Sequence, residues 1–242
     1  FYDRAYTYSL LILQIINNSI QSILLPVFSR RQDDLAQLKE TSRKSMRLTL
    51  FFLVPIIFGL IVLTRPLVIL VLTEKWAPCI PFLMLFLFFR LAGSIVGIDK
   101  QVYMALGKSS ILLYFESCLL IANVIMLLIT VHISIKAIAI GAVIVEYLSA
   151  FALIIISKKV YSYTIKERIA DLSRPVINSL VMMGVMLCLC LLDMEGIVLI
   201  LCQVAVGGAT YFFLTYVTKD ASLIYLGSMI KGQNNSIVNN KY

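Results

Sequence analysis

The chain has 242 residues, of which 60% are hydrophobic and only 14% are charged, and it carries a net charge of +8. Soluble domains average roughly 45–50% apolar residues, and so few charges cannot cover this much apolar surface in water. The composition excludes a soluble globular protein, a disordered chain and a collagen-like chain, and it predicts a protein whose solvent is lipid. The chain opens at Phe1 without an initiator Met or a signal sequence, so we interpret it as part of a longer protein.

Seven apolar runs are long enough, or nearly so, to cross a hydrocarbon core as helices, which takes about 20 residues. They are too long and too continuous for the alternating strands of a membrane barrel. The sequence therefore predicts an all-α integral membrane protein, with about seven transmembrane helices in a bundle over residues 1–218 and a polar cytoplasmic tail over residues 219–242. The predicted spans lie near residues 8–28, 48–72, 80–104, 111–131, 135–156, 175–192 and 197–217.

The second predicted span contains Arg65-Pro66, and proline removes a helical hydrogen bond. We expect this helix to end near Thr64 and to continue as a short interfacial segment. The loop before it, residues 30–47, places Asp33-Asp34 ahead of its basic end. This order of charges favours a separate helix on the membrane surface, whose charged side chains are solvated or contact anionic lipid.

Lys and Arg are concentrated in alternate loops. Residues 29–47 hold six, residues 157–174 hold five, and Lys108 with the tail adds four, whereas the intervening outer segments hold three. The positive-inside bias therefore places the basic loops and the carboxyl terminus in the cytoplasm. Membrane orientation accounts for the positive charge, and no nucleic-acid partner is predicted.

Polar side chains recur along one face of the first predicted span. Their spacing of i, i+3, i+4, i+7 and i+8 puts them on one side of a helix whose opposite side is aliphatic. Amide groups cost free energy against hydrocarbon unless they meet water, another helix or each other. We predict that this face lines a substrate cavity, with hydrogen bonding between helices as the alternative. The residues are Gln14, Asn17, Asn18, Gln21 and Ser22.

A second polar face lies on the third predicted span and consists of Arg90, Ser94, Gly97 and Gln101. Arg90 falls about halfway along that span, where an arginine costs about 2.5–3.5 kcal/mol. Its guanidinium stays charged and can donate paired hydrogen bonds to a diphosphate or a carboxylate. Arg90 either forms a structural ion pair with Glu116 or Glu146 or recognises an anion, and we interpret Arg90, Ser94 and Gln101 as candidate residues of a substrate cavity.

Two acidic residues fall inside later predicted spans. Glu146 lies midway along the fifth span and Glu116 near the cytoplasmic end of the fourth. Either can form an ion pair with Arg90, or can couple transport to an ion by taking up and releasing a proton. Asp99 and Lys100, near the cytoplasmic end of the third span, are expected to be solvated or to snorkel to the interface.

The sequence contains no recognisable catalytic or metal-binding arrangement. It has one histidine, and its five cysteines lie mostly inside apolar runs. It also lacks a phosphate-binding glycine loop. We therefore predict no catalytic residue, no metal and no cofactor. An enzyme such as a membrane-embedded glycosyltransferase is disfavoured, because the outer loops are short.

Several short motifs, in the same order along the chain, resemble those of the Wzx-like polysaccharide exporters. Together they cover about the first 110 residues, and the remainder is similar only in hydropathy and topology. The motifs are Phe1-Tyr2-Asp3-Arg4-Ala5-Tyr6, Leu25-Pro26-Val27-Phe28-Ser29-Arg30 with Gln32-Asp33-Asp34, Pro55-Ile56-Ile57-Phe58-Gly59-Leu60, Glu74-Lys75-Trp76-Ala77-Pro78 and Ala105-Leu106-Gly107-Lys108.

This resemblance implies the multidrug/oligosaccharidyl-lipid/polysaccharide exporter superfamily, whose members have two helical lobes around a central cavity. It implies that the chain forms most of the second lobe and that its partners are a lipid-linked oligosaccharide, membrane lipid and the missing amino-terminal lobe.

The implied activity is alternating-access flipping of an undecaprenyl-diphosphate-linked oligosaccharide across the bacterial inner membrane, for lipopolysaccharide or capsule synthesis. The alternatives are a cation-coupled small-molecule efflux pump of the same superfamily, centred on Glu146, and a membrane scaffold that transports nothing.

Overall fold

The computed structural model describes residues 1–191 and 196–218; within the first helix it describes the backbone, but not the side chains, of residues 12–13 and 15–23. In this part of the chain every long element is an α-helix, and the predicted all-α membrane bundle is confirmed. The predicted tail, residues 219–242, lies outside the described residues. The helices are α1 (Tyr2–Ser29), α2 (Leu35–Leu72), α3 (Ile80–Ala105), α4 (Ser109–Thr130), α5 (Ile135–Tyr161), α6 (Ile165–Leu189) and α7 (Gly196–Val217), with a 3-10 helix (Glu74–Cys79) before α3.

Six helices of the described chain, α2 to α7, are long and apolar enough to cross a membrane. The first helix, α1, has 28 residues, which gives a length of about 42 Å against a hydrocarbon core of about 30 Å. Each of the seven predicted spans falls on a different helix. Their insertion and their orientation remain predictions.

The predicted break in the second span was wrong. The helix α2 is continuous for 38 residues and contains both Pro55 and Pro66. A proline removes one hydrogen bond and favours a kink, but it does not end a helix that packing holds on both sides. Buried residues of α2 continue past Pro66 to Val68, so packing carries the helix through Arg65-Pro66 to Leu72.

The helix predicted within residues 30–47 is present, but its predicted end before the second span was wrong, because most of these residues form the first turns of α2 itself. The side chain of Asp34 accepts hydrogen bonds from the N–H groups of Ala36 and Gln37, at 2.9 and 3.1 Å. The bond from Gln37, with a smaller contribution from that of Ala36, lowers the pKa of the Asp34 carboxyl. The acidic pair therefore marks the start of a helix, and that helix continues into the membrane-spanning region.

The sixth helix begins ten residues before the predicted span, so the charged segment 165–174 is helical. A capping box fixes its start: the hydroxyl of Thr164 accepts from the N–H of Glu167, and the Glu167 carboxylate accepts from the N–H of Thr164 at 2.9 Å. Within this segment Arg168 and Asp171 are buried, whereas Lys166 and Arg174 are exposed.

The central helix of the bundle is α3, which packs against α1, α2 and α5, while α2 also packs against α6 and α7. The helix α4 is peripheral, and of its 22 residues, all of them described, only Phe115 is buried. Its exposed aliphatic side chains suit contact with lipid. Below, the outer end of the bundle is the end formed by residues 73–79 and 131–134, and the inner end is the end formed by residues 30–34, 106–108 and 162–164.

Candidate functional site

The guanidinium of Arg90 lies between α3 and α1, close to aromatic rings. Arg90 is the eleventh of the 26 residues of α3. Its Cζ atom lies 4.6 Å from the ring centroid of Tyr6 on α1 and 5.3 Å from that of Phe89. Its Nε and Nη2 atoms are buried and have no hydrogen-bond partner among the described residues. The rings offset part of the cost of burying the charge, and donors remain for another group.

The predicted ion pair between Arg90 and an acidic residue is not found in the described part of the chain. Glu116 pairs instead with Lys100, with 2.5 Å between Oε1 and Nζ. Lys100 is partly exposed, and its ammonium group joins α3 to α4. Among the described residues no carboxylate lies within ion-pair distance of the Arg90 guanidinium, although Glu146 is close enough to interact with it electrostatically.

The carboxylate of Glu146 on α5 comes close to the backbone of α3 at a glycine. A Cβ atom placed on Gly93 would lie 3.2 Å from Glu146 Oε1. Glu146 interacts electrostatically with Lys100, Arg90 and Glu116. Charged residues of α3, α4 and α5 therefore lie near one another in this region of the bundle.

The two other predicted cavity residues of α3 have different environments. Ser94 is buried, and its hydroxyl donates to the main-chain oxygen of Arg90 at 2.9 Å. That bond holds the hydroxyl to its own helix. Gln101 is half-buried, and its Oε1 atom has no donor among the described residues. Their role as cavity residues remains a prediction.

The polar stripe of the first predicted span lies on α1, whose backbone is helical throughout, so its members share one helical face. Gln14 is exposed. The side chains of Asn17, Asn18, Gln21 and Ser22 lie outside the described residues, and the stripe remains a prediction.

Asp99 is fully buried, so the expectation that it would remain solvated was wrong. Its Oδ1 atom accepts hydrogen bonds from the Nη2 atom of Arg168, at 2.6 Å, and from the hydroxyl of Tyr161. The hydroxyls of Tyr103 and Ser157 form a further hydrogen bond of 2.8 Å beside this pair. These side chains tie α3, α5 and α6 together near the inner end.

A second charged network joins α2 to α6 at the inner end. Arg43 donates from Nε and Nη2 to the two oxygens of Asp171, at 2.9 and 3.1 Å, and Arg47 also donates to Asp171. The Nζ atom of Lys39 lies 2.8 Å from the Oε1 atom of Glu167. These bases were predicted to be solvated or to contact lipid, and here they bind acidic residues of the same chain. A bidentate pair of this kind gives geometric specificity as well as free energy.

Tyr163 connects the two networks. It is buried in the turn between α5 and α6, and its hydroxyl donates to Asp171 at 2.8 Å. The guanidinium of Arg168 lies 4.3 Å from its ring centroid. Burial first, and then the adjacent carboxylate, raises the pKa of the Tyr163 phenol. Tyr163 thus remains a hydrogen-bond donor at neutral pH.

Comparisons with known proteins agree with this fold. Residues 1–81 match the family described as "Polysaccharide biosynthesis protein". The predicted resemblance is confirmed. A solved structure titled "Lipid II flippase MurJ, inward closed conformation" has a similar fold, with a TM-score of 0.69 and 18% sequence identity, and covers 90% of this chain. No curated protein matches the chain in sequence.

The chain spans 47% of the length of that flippase. At 18% identity the similarity shows the fold, a membrane bundle of the kind that forms about half of a lipid flippase. The family match covers residues 1–81, which lie within the region whose motifs carry the predicted resemblance.

Proposed function

We propose that this chain is the carboxyl-terminal lobe of a flippase for a lipid-linked oligosaccharide. The complete protein would move an undecaprenyl-diphosphate-linked glycan across the bacterial inner membrane, for lipopolysaccharide or capsule synthesis. The carboxyl terminus would lie in the cytoplasm, and the second lobe would close a central cavity. The match of residues 1–81 to a polysaccharide biosynthesis family supports the substrate class.

The observation that carries the proposal is the environment of Arg90. A guanidinium with two buried nitrogens and no hydrogen-bond acceptor among the described residues can bind a diphosphate through charge-assisted hydrogen bonds. Lys100 is paired with Glu116, whereas Arg90 Nε and Nη2 have no partner among the described residues. Arg168 also has two unpartnered nitrogens, but its Nη2 atom is bonded to Asp99. We assign the diphosphate to Arg90, with Gln101 and the α1 face of Gln14, Asn17, Asn18 and Gln21 as further polar contacts.

The physical demands of flipping fit these residues. Neither a diphosphate nor a sugar chain can cross hydrocarbon without polar partners, whereas the lipid tail can remain in the bilayer. A fixed positive charge with several weaker amide contacts binds the headgroup yet lets it leave on the other side. Rocking of two packed lobes would expose the site to each side in turn.

The test uses the complete protein in proteoliposomes and a fluorescent undecaprenyl diphosphate that carries an oligosaccharide. The rate at which the headgroup crosses the bilayer is compared between wild type, Arg90→Gln and Arg65→Gln at equal protein insertion. Arg65 is an exposed arginine on α2 and serves as the matched control. We expect Arg90→Gln to slow flipping by about tenfold to a hundredfold, because a hydrogen bond to a charged group contributes about 1.5–3 kcal/mol.

If the folded wild type moves no lipid-linked cargo, the flippase proposal fails in favour of the efflux pump or the scaffold. A pump centred on Glu146 would instead lose drug export in Glu146→Gln. If Arg90→Gln and Arg65→Gln flip at the wild-type rate, the flippase stands and the assignment of Arg90 to the diphosphate is wrong.

A further inference from the structure

An aromatic surface connects Arg90 with the outer end of the bundle. Tyr2 and Tyr6 lie one turn apart on α1, and Phe82 and Phe86 lie one turn apart on α3. The ring of Tyr2 is 5.9 Å from that of Phe82 and 5.1 Å from that of Phe86, and the ring of Tyr6 is 5.4 Å from that of Phe86. These four rings are called the aromatic lane. Arg90 follows Phe86 by one turn, so the lane begins at the guanidinium and extends about 12 Å outward.

The two helices contribute differently to the aromatic lane. Phe82 and Phe86 are 9% and 1% exposed, so they form a buried support. Tyr6 is 38% exposed and Tyr2 is half-buried, so the tyrosines form the accessible side. All three ring contacts are edge-to-face, which is a favoured geometry for aromatic pairs and fixes the planes of the tyrosine rings.

The tyrosine hydroxyls of the lane are unused within the described structure. Neither Tyr2 nor Tyr6 has a hydrogen-bond partner for its hydroxyl among the described residues. The buried tyrosines Tyr103, Tyr161 and Tyr211 all place their hydroxyls in hydrogen bonds. Phenylalanine would pack equally well at positions 2 and 6, so the hydroxyls add donors and acceptors on the accessible side of the lane.

We infer that the aromatic lane binds the glycan of the cargo on its way between Arg90 and the outer end; this inference rests on the proposed function. Sugars have apolar C–H faces, which pack on aromatic rings, and hydroxyls, which pair with tyrosine O–H groups. Several such contacts in a row, each weak, hold a sugar chain without trapping it. The diphosphate joins the glycan to the lipid. When the diphosphate is bound at Arg90, the first sugars therefore lie beside the Tyr6 ring, which contacts the same guanidinium.

The contacts of Tyr6 distinguish a role in glycan binding from a role in an interfacial aromatic belt. Belt residues lie at the level of the lipid headgroups. Tyr6 precedes the predicted span of residues 8–28, but it contacts an arginine eleven residues into α3, and its ring packs on the core residue Phe86. A belt residue would anchor the protein regardless of the cargo. Substitution of a lane residue would instead slow flipping more for a long glycan than for a short one.

The experiment compares two fluorescent cargoes in proteoliposomes of the complete protein. One is undecaprenyl diphosphate with a single N-acetylglucosamine, and the other carries the complete repeat unit of the host strain. The double variant Tyr2→Ala/Tyr6→Phe keeps the ring that contacts Arg90. It is expected to slow the repeat-unit cargo about tenfold and the single-sugar cargo less than about twofold. Tyr114→Ala, at a tyrosine on α4 that is 73% exposed, is the matched control and should leave both rates unchanged.

Equal slowing of both cargoes would overturn the inference in favour of a belt or packing role, and so would wild-type rates for both. Binding of the lipid-free repeat unit to the solubilised protein, followed by saturation-transfer NMR, tests the lane without flipping. If the double variant loses this binding and Tyr114→Ala keeps it, the aromatic lane is supported. That conclusion holds even if the wild type flips neither cargo, a result that would defeat only the proposed function. Equal binding by wild type and the double variant, or none by wild type, overturns the lane.

Discussion

The hydroxyl of Tyr211 on α7 donates a hydrogen bond of 2.7 Å to the main-chain oxygen of Phe51 on α2. In an α-helix that oxygen accepts from the N–H four residues later, and residue 55 is a proline. Tyr211 therefore supplies the donor that Pro55 takes away. The bond is buried and ties α7 to the point at which the hydrogen-bond ladder of α2 is interrupted.

Tyr211→Phe should destabilise the bundle, because the Phe51 oxygen would be left buried without a donor while the ring is kept. An unsatisfied buried acceptor costs about 1–3 kcal/mol. We expect the apparent melting temperature of the protein in detergent to fall by several degrees. Tyr216→Phe, at a 75% exposed position of the same helix, should leave it unchanged. Equal melting temperatures for both variants would show that water or another group satisfies Phe51.

Asp99→Ala should be among the most destabilising single substitutions, because it leaves the charge of Arg168 buried with no carboxylate. Breaking a buried ion pair by removing one partner costs about 3–5 kcal/mol. The double variant Asp99→Leu/Arg168→Leu should recover much of this loss, because it removes both charges. Thermal unfolding of the single and double variants measures the difference. A double variant as unstable as the sum of its single variants would contradict the pairing.

The ion pair between Lys100 and Glu116 offers a comparison within the same region. Its side chains are 28% and 49% exposed. Glu116→Gln should therefore change stability by less than about 1 kcal/mol, as is usual for pairs in contact with solvent. A loss comparable to that of Asp99→Ala would show that this pair is shielded in the assembled protein.

Gly207→Ala and Gly208→Ala, neighbours on α7, should differ in effect. A Cβ atom on Gly207 would lie 2.7 Å from the Sδ atom and 3.1 Å from the Cγ atom of Met186, whereas one on Gly208 would meet nothing within 4 Å. We expect Gly207→Ala to lose about 1–2 kcal/mol as α6 and α7 move apart or Met186 repacks. Chemical denaturation in mild detergent distinguishes the two. If Gly208→Ala is the more harmful, then that face packs on a part of the protein outside this chain.

The orientation of the bundle can be measured by labelling with an impermeant maleimide. Cys79 is close to the outer end but fully buried, and its thiol contacts the main-chain oxygen of Phe1. It should stay unlabelled until the protein unfolds. With the exposed cysteines replaced by serine, Lys75→Cys should react in intact cells and Lys166→Cys only after permeabilisation. The reverse pattern would invert the predicted topology.

Hydropathy was sufficient to predict the helices, because each span requires a continuous apolar run that no other membrane structure shares. The ends of the helices were harder to predict. At residues 165–174 the charges indicated a loop, but Glu167 forms a capping box with Thr164 and Asp171 binds Arg43 of a distant helix. Charges that are paired in three dimensions look the same in sequence as charges that face water.

The same limit explains the outcome for Asp99. Its partner Arg168 is 69 residues away, on a helix whose start was not predicted. One signal was present: a carboxylate within a predicted span needs a partner. Arg90 was singled out by that same rule, and its packing on Tyr6 could not be read from spacing, because the register between α1 and α3 is set by the fold.

The helix α2 is a rod of 38 residues, about 57 Å long, in a hydrocarbon layer of about 30 Å. Its inner end carries Lys39 and Arg43, both bound to α6, and its other end reaches the outer turn. A rod of this length acts as a lever: a tilt of about 10° around its midpoint displaces each end by about 5 Å in opposite directions. If α2 tilts as one body through Pro55 and Pro66, a shift of its charged inner end is accompanied by an opposite shift of its outer end.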